Sequence, residues 1–142
     1  CNAGHPPPLV IRAGGPGGPG GPGGPGGPGG PGGIVRLDAT GLPIGMFCTE
    51  RFSSEMVQFE PGETLLLYTD GLLETQNSNG AEYGIERLVA LAASAAMLGP
   101  KAIVDACVGN LASFRGTAVS ADDLTIMAVR RLEPQATVNR LP

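Results

Sequence analysis

The chain has 142 residues, with 9 basic and 13 acidic side chains and a formal net charge of -4. This length fits one domain, and the scattered Lys and Arg residues exclude a basic nucleic-acid-binding surface. No apolar run approaches the roughly 20 residues that a membrane-spanning helix requires. The cysteines, Cys1, Cys48 and Cys107, lack the spacing of a zinc site or a redox motif, so we expect reduced thiols in a cytoplasmic protein.

The chain starts with a loop and a short strand. Asn2-Ala-Gly-His5 forms the loop, and three prolines then impose an extended backbone before Leu9-Val-Ile11, which predicts a strand. Because the sequence starts without an initiator Met or a signal-peptide pattern, we expect Cys1 to be a cut made inside a larger protein.

Residues 14–33 contain only Gly and Pro, in six Pro-Gly-Gly triplets that follow two glycines. A collagen helix would favour Pro or hydroxyproline at the remaining position, so the composition favours a flexible insert. The flanking segments, Leu9–Arg12 and Ile34–Leu37, are predicted to pair as a hairpin. Lengthening its loop from about four to twenty residues costs only about 1.4 kcal/mol, and we assign the insert no chemistry.

The centre of the chain contains two predicted strands. Residues 56–59 mix apolar and polar side chains and predict a strand, which a Pro-Gly turn separates from the next. Leu65–Thr69 is an apolar run that predicts a strand buried on both faces. Asp70 and Gly71 follow directly, which places a carboxylate at the mouth of the sheet, although Asp-Gly is also ordinary turn chemistry.

Two helices and a last strand follow. An apolar stripe predicts a helix over Ile85–Met97, and Pro100 opens a second helix that runs to about Phe114. Both are interpreted as helices that cover the core. Leu124–Val129 predicts the final strand, and Asp122 and Asp123 lie at its entrance, where they serve either as turn residues or as ligands.

The aspartates at the strand ends indicate metal chemistry. If the strands before Asp70 and after Asp122 are antiparallel neighbours, the two side chains meet at one edge of the sheet. Converging carboxylates repel each other unless a cation is bound, and oxygen ligands favour magnesium or manganese. Two such ions about 3.5–4 Å apart are the usual device for activating water against a phosphate ester.

Five short motifs occur in the order and spacing of one family pattern. They are Asn2-Ala-Gly-His-Pro-Pro-Pro8, Leu42-Pro-Ile-Gly45, Pro61-Gly-Glu-Thr-Leu-Leu-Leu-Tyr-Thr-Asp-Gly71, Tyr83-Gly84 and Asp122-Asp-Leu-Thr125. With them the chain resembles the metal-dependent serine/threonine phosphatases of the PPM (protein phosphatase 2C-like) type. The closer likeness is to the bacterial stage-II-sporulation-E-like branch.

The resemblance implies an α+β fold, part of an α-β-β-α sandwich of antiparallel sheets flanked by helices. It implies two Mn2+ or Mg2+ ions in the complete domain, with Asp70 and Asp122 as metal ligands. Asp123 and Gly71 would support these ligands from behind, and His5 would be a site-facing group.

The chain departs from the family pattern because it lacks the Gly-Asp and Gly-His-Gly segments that supply further metal ligands. We therefore expect residues 1–130 to be the carboxyl-terminal part of a phosphatase domain, interrupted by the insert at 14–33 and followed by a loose tail at 131–142. Alone, this part is expected to bind metal poorly and to turn over little substrate.

Three hypotheses follow. The first is a phosphatase acting on phosphoserine or phosphothreonine in a regulatory protein, resembling an anti-sigma antagonist in bacterial partner-switching signalling, with a sensor domain fused upstream. The second is a catalytically incomplete module that only binds a protein partner. The third is a Gly/Pro-repeat protein whose triplets associate chains, and for it deletion of residues 14–33 would abolish assembly.

Overall fold

A computed structural model of the protein describes residues 1–12, 33–46, 51–118 and 122–133. The Gly/Pro insert up to residue 32, Cys48 and the end of the expected tail, residues 134–142, lie outside the described residues. Of the other two cysteines, Cys1 is exposed and Cys107 is buried, and both are free thiols.

In the described part of the chain, four strands form one antiparallel sheet. They are β1 (Leu9–Ile11), β2 (Ile34–Arg36), β3 (Thr64–Tyr68) and β4 (Ile126–Arg130). Their order in the sheet is β2-β1-β3-β4. The predicted hairpin on either side of the insert is confirmed, since Leu9 pairs with Arg36 and Ile11 with Ile34.

Three helices accompany the sheet within the described ranges: α1 (Asp70–Leu73), α2 (Gly84–Ser94) and α3 (Pro100–Arg115). Pro occupies the start of α3, where its fixed φ suits a helix and its missing N–H costs nothing. The second helix ends three residues before the predicted Met97, because residues 95–97 form turns. No helix in the described ranges combines the length and apolar character needed to cross a membrane.

The core lies between the helices and one face of the sheet. Alternate strand residues point to that face, and the residues buried there come from β1, β3 and all three helices: Leu9, Ile11, Leu66, Tyr68, Leu72, Leu88, Ile103 and Cys107. The other face carries the half-buried Leu65 and Leu67 and the exposed Met127 and Val129. The α+β class is confirmed, and the described residues form one sheet and one helical layer.

The strand predicted at residues 56–59 is wrong, because residues 51–60 contain no regular secondary structure. The Gln58 carbonyl accepts a hydrogen bond from the Arg12 side chain at 2.9 Å, in place of a partner strand. Met56 is 99% exposed. Apolar and polar residues alternate here as in a strand, yet the local backbone is bound by a side chain.

A buried ion pair ties β1 to the entrance of β3. Arg12 and Glu63 are 7% and 3% exposed, and Nη1 of Arg12 lies 2.7 Å from both carboxylate oxygens of Glu63. The Arg12 N–H also donates to the Gly33 carbonyl at 2.9 Å. This cluster therefore closes the base of the insert at the end of the sheet where Ile11 pairs with Thr64.

Candidate functional site

The ends of all four strands define where the predicted site residues lie. In the β3–β4 pair, Tyr68 is opposite Ile126 and Thr64 is opposite Arg130. The exit of β3 and the entrance of β4 therefore share one end of the sheet, and the antiparallel pairing on which the convergence of the aspartates depends is confirmed. We call this end, which carries Asp70 and Asp122, the carboxylate edge.

Asp70 lies two residues beyond the end of β3, after Thr69, and is the first residue of α1. Its side chain is exposed, and its Oδ1 accepts a hydrogen bond from the Gly71 N–H at 3.0 Å. The Asp70 carbonyl accepts the Glu74 N–H at 2.9 Å. The backbone beneath the carboxylate is thus fixed by a helical turn, while the carboxylate itself faces solvent.

Gly71 allows the two acidic segments to touch. A Cβ added to Gly71 would lie 2.5 Å from the Asp123 carbonyl oxygen and 3.5 Å from the Cβ of Asp122. Only a residue without a side chain permits such a close backbone approach. The structure therefore brings together four of the predicted residues: Asp70, Gly71, Asp122 and Asp123.

Asp122 and Asp123 enter this contact in different ways. Asp122 Oδ1 accepts a hydrogen bond from the Asp123 N–H at 2.7 Å, which orients the Asp122 carboxylate at the start of the segment. Asp123 meets the β3 side through its backbone carbonyl, which accepts a hydrogen bond from Thr69 Oγ1 at 3.1 Å. Both side chains are exposed at the carboxylate edge.

Thr69 is a residue that the sequence analysis missed. Its N–H donates to the Thr125 carbonyl at 3.1 Å, and its Oγ1 accepts the Thr125 N–H at 3.0 Å. Together with the bond to Asp123, these contacts join the segments on either side of the carboxylate edge. A hydroxyl residue between a buried strand and Asp-Gly is the only sequence signal that could have indicated it.

His5 lies in a loop at the same end of the sheet, since Leu9 of β1 pairs with Leu66 near the exit of β3. Its backbone N–H donates to Asn2 Oδ1 at 2.9 Å, and its ring Nδ1 lies 2.8 Å from the Pro6 carbonyl. The His5 hydrogen bonds therefore stay within its own loop, and its side chain is exposed.

Tyr68 anchors that loop to the sheet. Its hydroxyl donates to the Pro7 carbonyl at 2.6 Å, and its side chain is buried. Burial raises the pKa of Tyr68 from 10.0 to about 12, so the phenol can still donate this hydrogen bond above pH 10.

The donor set at the carboxylate edge fits Mg2+ or Mn2+ in kind. Asp70 and Asp122 offer carboxylate oxygens, and Mg2+ is commonly bound through one or two carboxylates while it keeps several waters. Among the residues described, no group of three or more His, Cys, Asp or Glu side chains is placed to hold a metal ion. Two aspartates are thus a partial ligand set.

Comparisons with known proteins point in the same direction. The sequence model for stage II sporulation protein E (SpoIIE) matches residues 1–132. Protein IcfG of Synechocystis is 26% identical over 130 residues, which are 92% of this chain and 18% of that protein. The SiaA-PP2C domain of Pseudomonas aeruginosa superposes with a TM-score of 0.61 at 26% identity, covering 70% of this chain and 39% of that one.

Two further solved structures share the fold. The phosphatase domain of Bacillus subtilis SpoIIE has a TM-score of 0.56 at 17% identity, covering 94% of this chain and 50% of that one. The RsbU and RsbW domains of Rv1364c from Mycobacterium tuberculosis also give 0.56, at 24% identity, covering 96% of this chain and 32% of that one. The chain thus spans half or less of each of these proteins.

These structures confirm the resemblance to PP2C-type phosphatase domains that the five motifs indicated. Because the match to the family's sequence model runs through nearly all of the described residues, the chain belongs to the stage II sporulation protein E (SpoIIE) family.

Proposed function

We propose that Asp70 and Asp122 are metal ligands of a phosphatase that hydrolyses phosphoserine or phosphothreonine in a regulatory protein. The observation that carries the proposal is the meeting of the two acidic segments at one edge of the sheet, through Gly71 and Asp123. Membership of the SpoIIE family and the likeness to PP2C phosphatase domains support the reaction class.

The bound Mn2+ or Mg2+ ions, two in the complete domain, would supply Lewis-acid polarisation of the phosphoryl oxygen and a nucleophilic water. The chain's own residues would hold and space the carboxylates. Asp70 and Asp122 are exposed, so a phosphorylated loop of a protein substrate can approach them. We assign His5 a site-facing role at the same edge, and Asp123 and Gly71 a supporting role.

This chain covers only 18% to 50% of the length of the relatives described above, which supports the proposal that it is part of a domain. We propose that residues 1–130 are the carboxyl-terminal part of a phosphatase domain and that the remaining ligands come from the rest of that domain. Two aspartates alone would bind a divalent ion weakly, so the isolated chain is proposed to turn over little substrate.

The proposed setting is partner-switching signalling, with an anti-sigma-antagonist-like phosphoprotein as substrate. The likeness to the RsbU and RsbW domains of Rv1364c and to the SiaA-PP2C domain supports this setting. A cytoplasmic location fits the reduced thiols expected from the sequence, and a sensor domain upstream is part of the same proposal.

The test is Mn2+-dependent hydrolysis of p-nitrophenyl phosphate and of a phosphoserine protein by the full-length protein. Asp70→Asn and Asp122→Asn each remove one charge at the carboxylate edge, and we expect turnover to fall by about 100-fold or more, as when one electrostatic contact to a transition state is lost. Asp105→Asn is the matched control, because Asp105 is an exposed carboxylate on α3 that pairs with Lys101.

Unchanged turnover in the Asp70 and Asp122 variants would overturn the proposed ligand roles. A second function, a module that only binds a protein partner, is favoured by the incomplete ligand set among the described residues. It predicts that the full-length protein binds the phosphoprotein with the same affinity with and without Mn2+ and releases no phosphate.

A further inference from the structure

Thr69 occupies the position before α1 at which a Thr side chain normally caps a helix. An N-cap hydroxyl usually accepts a hydrogen bond from the backbone N–H two or three residues on. The backbone of Thr69 has the extended conformation of an N-cap, with φ -85° and ψ 163°, yet its side chain makes no capping bond. Its hydroxyl is used for another purpose.

That purpose is a connection to the strand entrance opposite. Oγ1 of Thr69 donates to the Asp123 carbonyl at 3.1 Å and accepts the Thr125 N–H at 3.0 Å. The hydroxyl thus donates one hydrogen bond to the segment that follows Asp122 and accepts one from it. The helix start is served instead by backbone, since the Leu72 N–H reaches the Thr69 carbonyl at 3.1 Å.

Gly71 provides a second contact with the same segment. The Asp123 carbonyl oxygen accepts from Thr69 and also lies where a Cβ on Gly71 would be, at 2.5 Å. The two residues that flank Asp70 therefore both contact the Asp123 carbonyl group. Thr69 donates a hydrogen bond to it, and Gly71 leaves room for its close approach. The backbone segments that carry the two carboxylates therefore meet at this carbonyl group.

We propose that Thr69 is a positioning residue, whose hydroxyl sets the separation of the Asp70 and Asp122 carboxylates for a divalent ion. The inference rests on the proposed metal-binding role of these aspartates. Groups that orient metal ligands typically contribute 10- to 100-fold to metal affinity, and the Thr69 hydroxyl is placed to do so.

The hydroxyl, and not the size of the side chain, carries the effect. Ser can donate and accept as Thr does, whereas Val has the same shape and can do neither. Both hydrogen bonds of the Thr69 hydroxyl are solvent-exposed, so water can replace them in Thr69→Val. The variant is therefore expected to fold while the spacing of the carboxylates relaxes.

The experiment is a Mn2+ titration of the full-length protein, in which electron paramagnetic resonance measures free Mn2+ and thermal unfolding reports folding. Thr69→Val should weaken Mn2+ binding by about 10- to 100-fold, with an unfolding temperature close to that of the unmodified protein. Thr69→Ser should restore binding. Asp70→Asn is included as the reference for loss of a ligand.

The outcomes separate the two proposals. Mn2+ binding that survives Asp70→Asn would overturn the ligand role of Asp70 and, with it, the inference. Weakened binding in Asp70→Asn with full binding in Thr69→Val would overturn the inference alone, as would equal loss in the Val and Ser variants.

A second variant covers the case in which Thr69→Val does not fold. Gly71→Ala keeps the Thr69 hydroxyl but pushes the Asp123 carbonyl away, since its Cβ would lie 2.5 Å from that oxygen. Weakened Mn2+ binding in Gly71→Ala would support the inference that the residues flanking Asp70 control the separation of the Asp70 and Asp122 carboxylates. Unchanged binding in this variant would contradict it.

Discussion

Tyr68 links the core of the sheet to the loop that carries His5. Its ring packs in the core, while its hydroxyl donates to the Pro7 carbonyl at 2.6 Å. Tyr68→Phe should lower the free energy of unfolding at neutral pH by about 1 kcal/mol, the usual net value of one hydrogen bond. Urea unfolding of the two proteins measures the difference.

The pH dependence of that difference is a second prediction for the same residue. Burial raises the pKa of Tyr68 from 10.0 to about 12. The unfolded chain therefore loses the phenol proton near pH 10, whereas the folded chain keeps it until about pH 12. Between these values the folded state binds more protons, so stability falls as the pH rises.

Tyr68→Phe lacks this titration. Relative to the variant, the unmodified protein should lose up to about 2 to 3 kcal/mol of stability between pH 10 and 12 for a pKa shift of this size. Its advantage of about 1 kcal/mol at neutral pH should therefore disappear and then reverse in sign. Urea unfolding of both proteins across that range tests it. Parallel pH curves for the two proteins would contradict the assignment.

The buried ion pair Arg12–Glu63 connects β1 to β3, so its loss should lower the free energy of unfolding strongly. Glu63→Gln keeps the shape of the side chain but leaves the Arg12 guanidinium buried without its counter-charge. Removing one partner of a buried pair costs about 3 to 5 kcal/mol, so we expect a decrease of this order in the free energy of unfolding. Asp105→Asn, which breaks the exposed pair with Lys101 on α3, should have little or no effect.

The Mn2+ affinity of Glu63→Gln should contrast with its stability, because the substitution lies away from the proposed metal site. Glu63 precedes β3 and Asp70 follows it, so the two lie at opposite ends of the sheet. Folded Glu63→Gln protein should keep its Mn2+ affinity. A loss of stability no larger than that of Asp105→Asn would show that the buried pair does not hold the strands together.

The strands were predictable where their own residues determine them. β1, β2 and β3 are short, largely apolar segments, and β1 and β2 pair as the predicted hairpin. The pairing of β1 with β3 was not predicted. Residues 56–59 show a similar pattern but form no strand; the Gln58 carbonyl accepts a hydrogen bond from Arg12, 46 residues away, and Met56 is exposed. A local sequence pattern does not reveal that a side chain far along the chain forms a hydrogen bond with the backbone there.

The same reason explains what was missed at the candidate site. Asp70 and Asp122 could be inferred from strand ends, since antiparallel neighbours bring an exit and an entrance together. Thr69 could not, because its hydroxyl partners lie 54 and 56 residues further along the chain. The sequence placed Thr69 in the strand Leu65–Thr69, whereas the structure places it after β3, at the N-cap position of α1 and without a side-chain capping bond.

At the scale of the whole molecule, Arg12 and Gly33, the described residues on either side of the insert, lie at the opposite end of the sheet from the carboxylate edge. The Arg12 N–H donates to the Gly33 carbonyl at 2.9 Å. The neighbouring residues Ile11 and Ile34 pair at the end of the sheet where Thr64 begins β3. Asp70 follows the other end of β3. The insert is thus attached away from the proposed site.

Replacing residues 14–32 by a four-residue turn with Asn-Gly should therefore leave the fold, the Mn2+ affinity and the molecular mass in solution unchanged. The free energy of unfolding should rise by at most about 1.4 kcal/mol, because a shorter loop costs less entropy to close. Urea unfolding, Mn2+ titration and light scattering measure the three properties.

A Gly-Ser segment of the same length as the insert is the matched control for that replacement. If the triplets associate chains, both replacements should reduce the molecular mass in solution, since neither contains Pro-Gly-Gly. If the length of the insert determines the association of chains, only the variant with the short turn should change in molecular mass. A hairpin that closes through Arg12, Gly33 and Glu63 needs neither the triplets nor the length, so we expect the same fold, Mn2+ affinity and molecular mass for all three proteins.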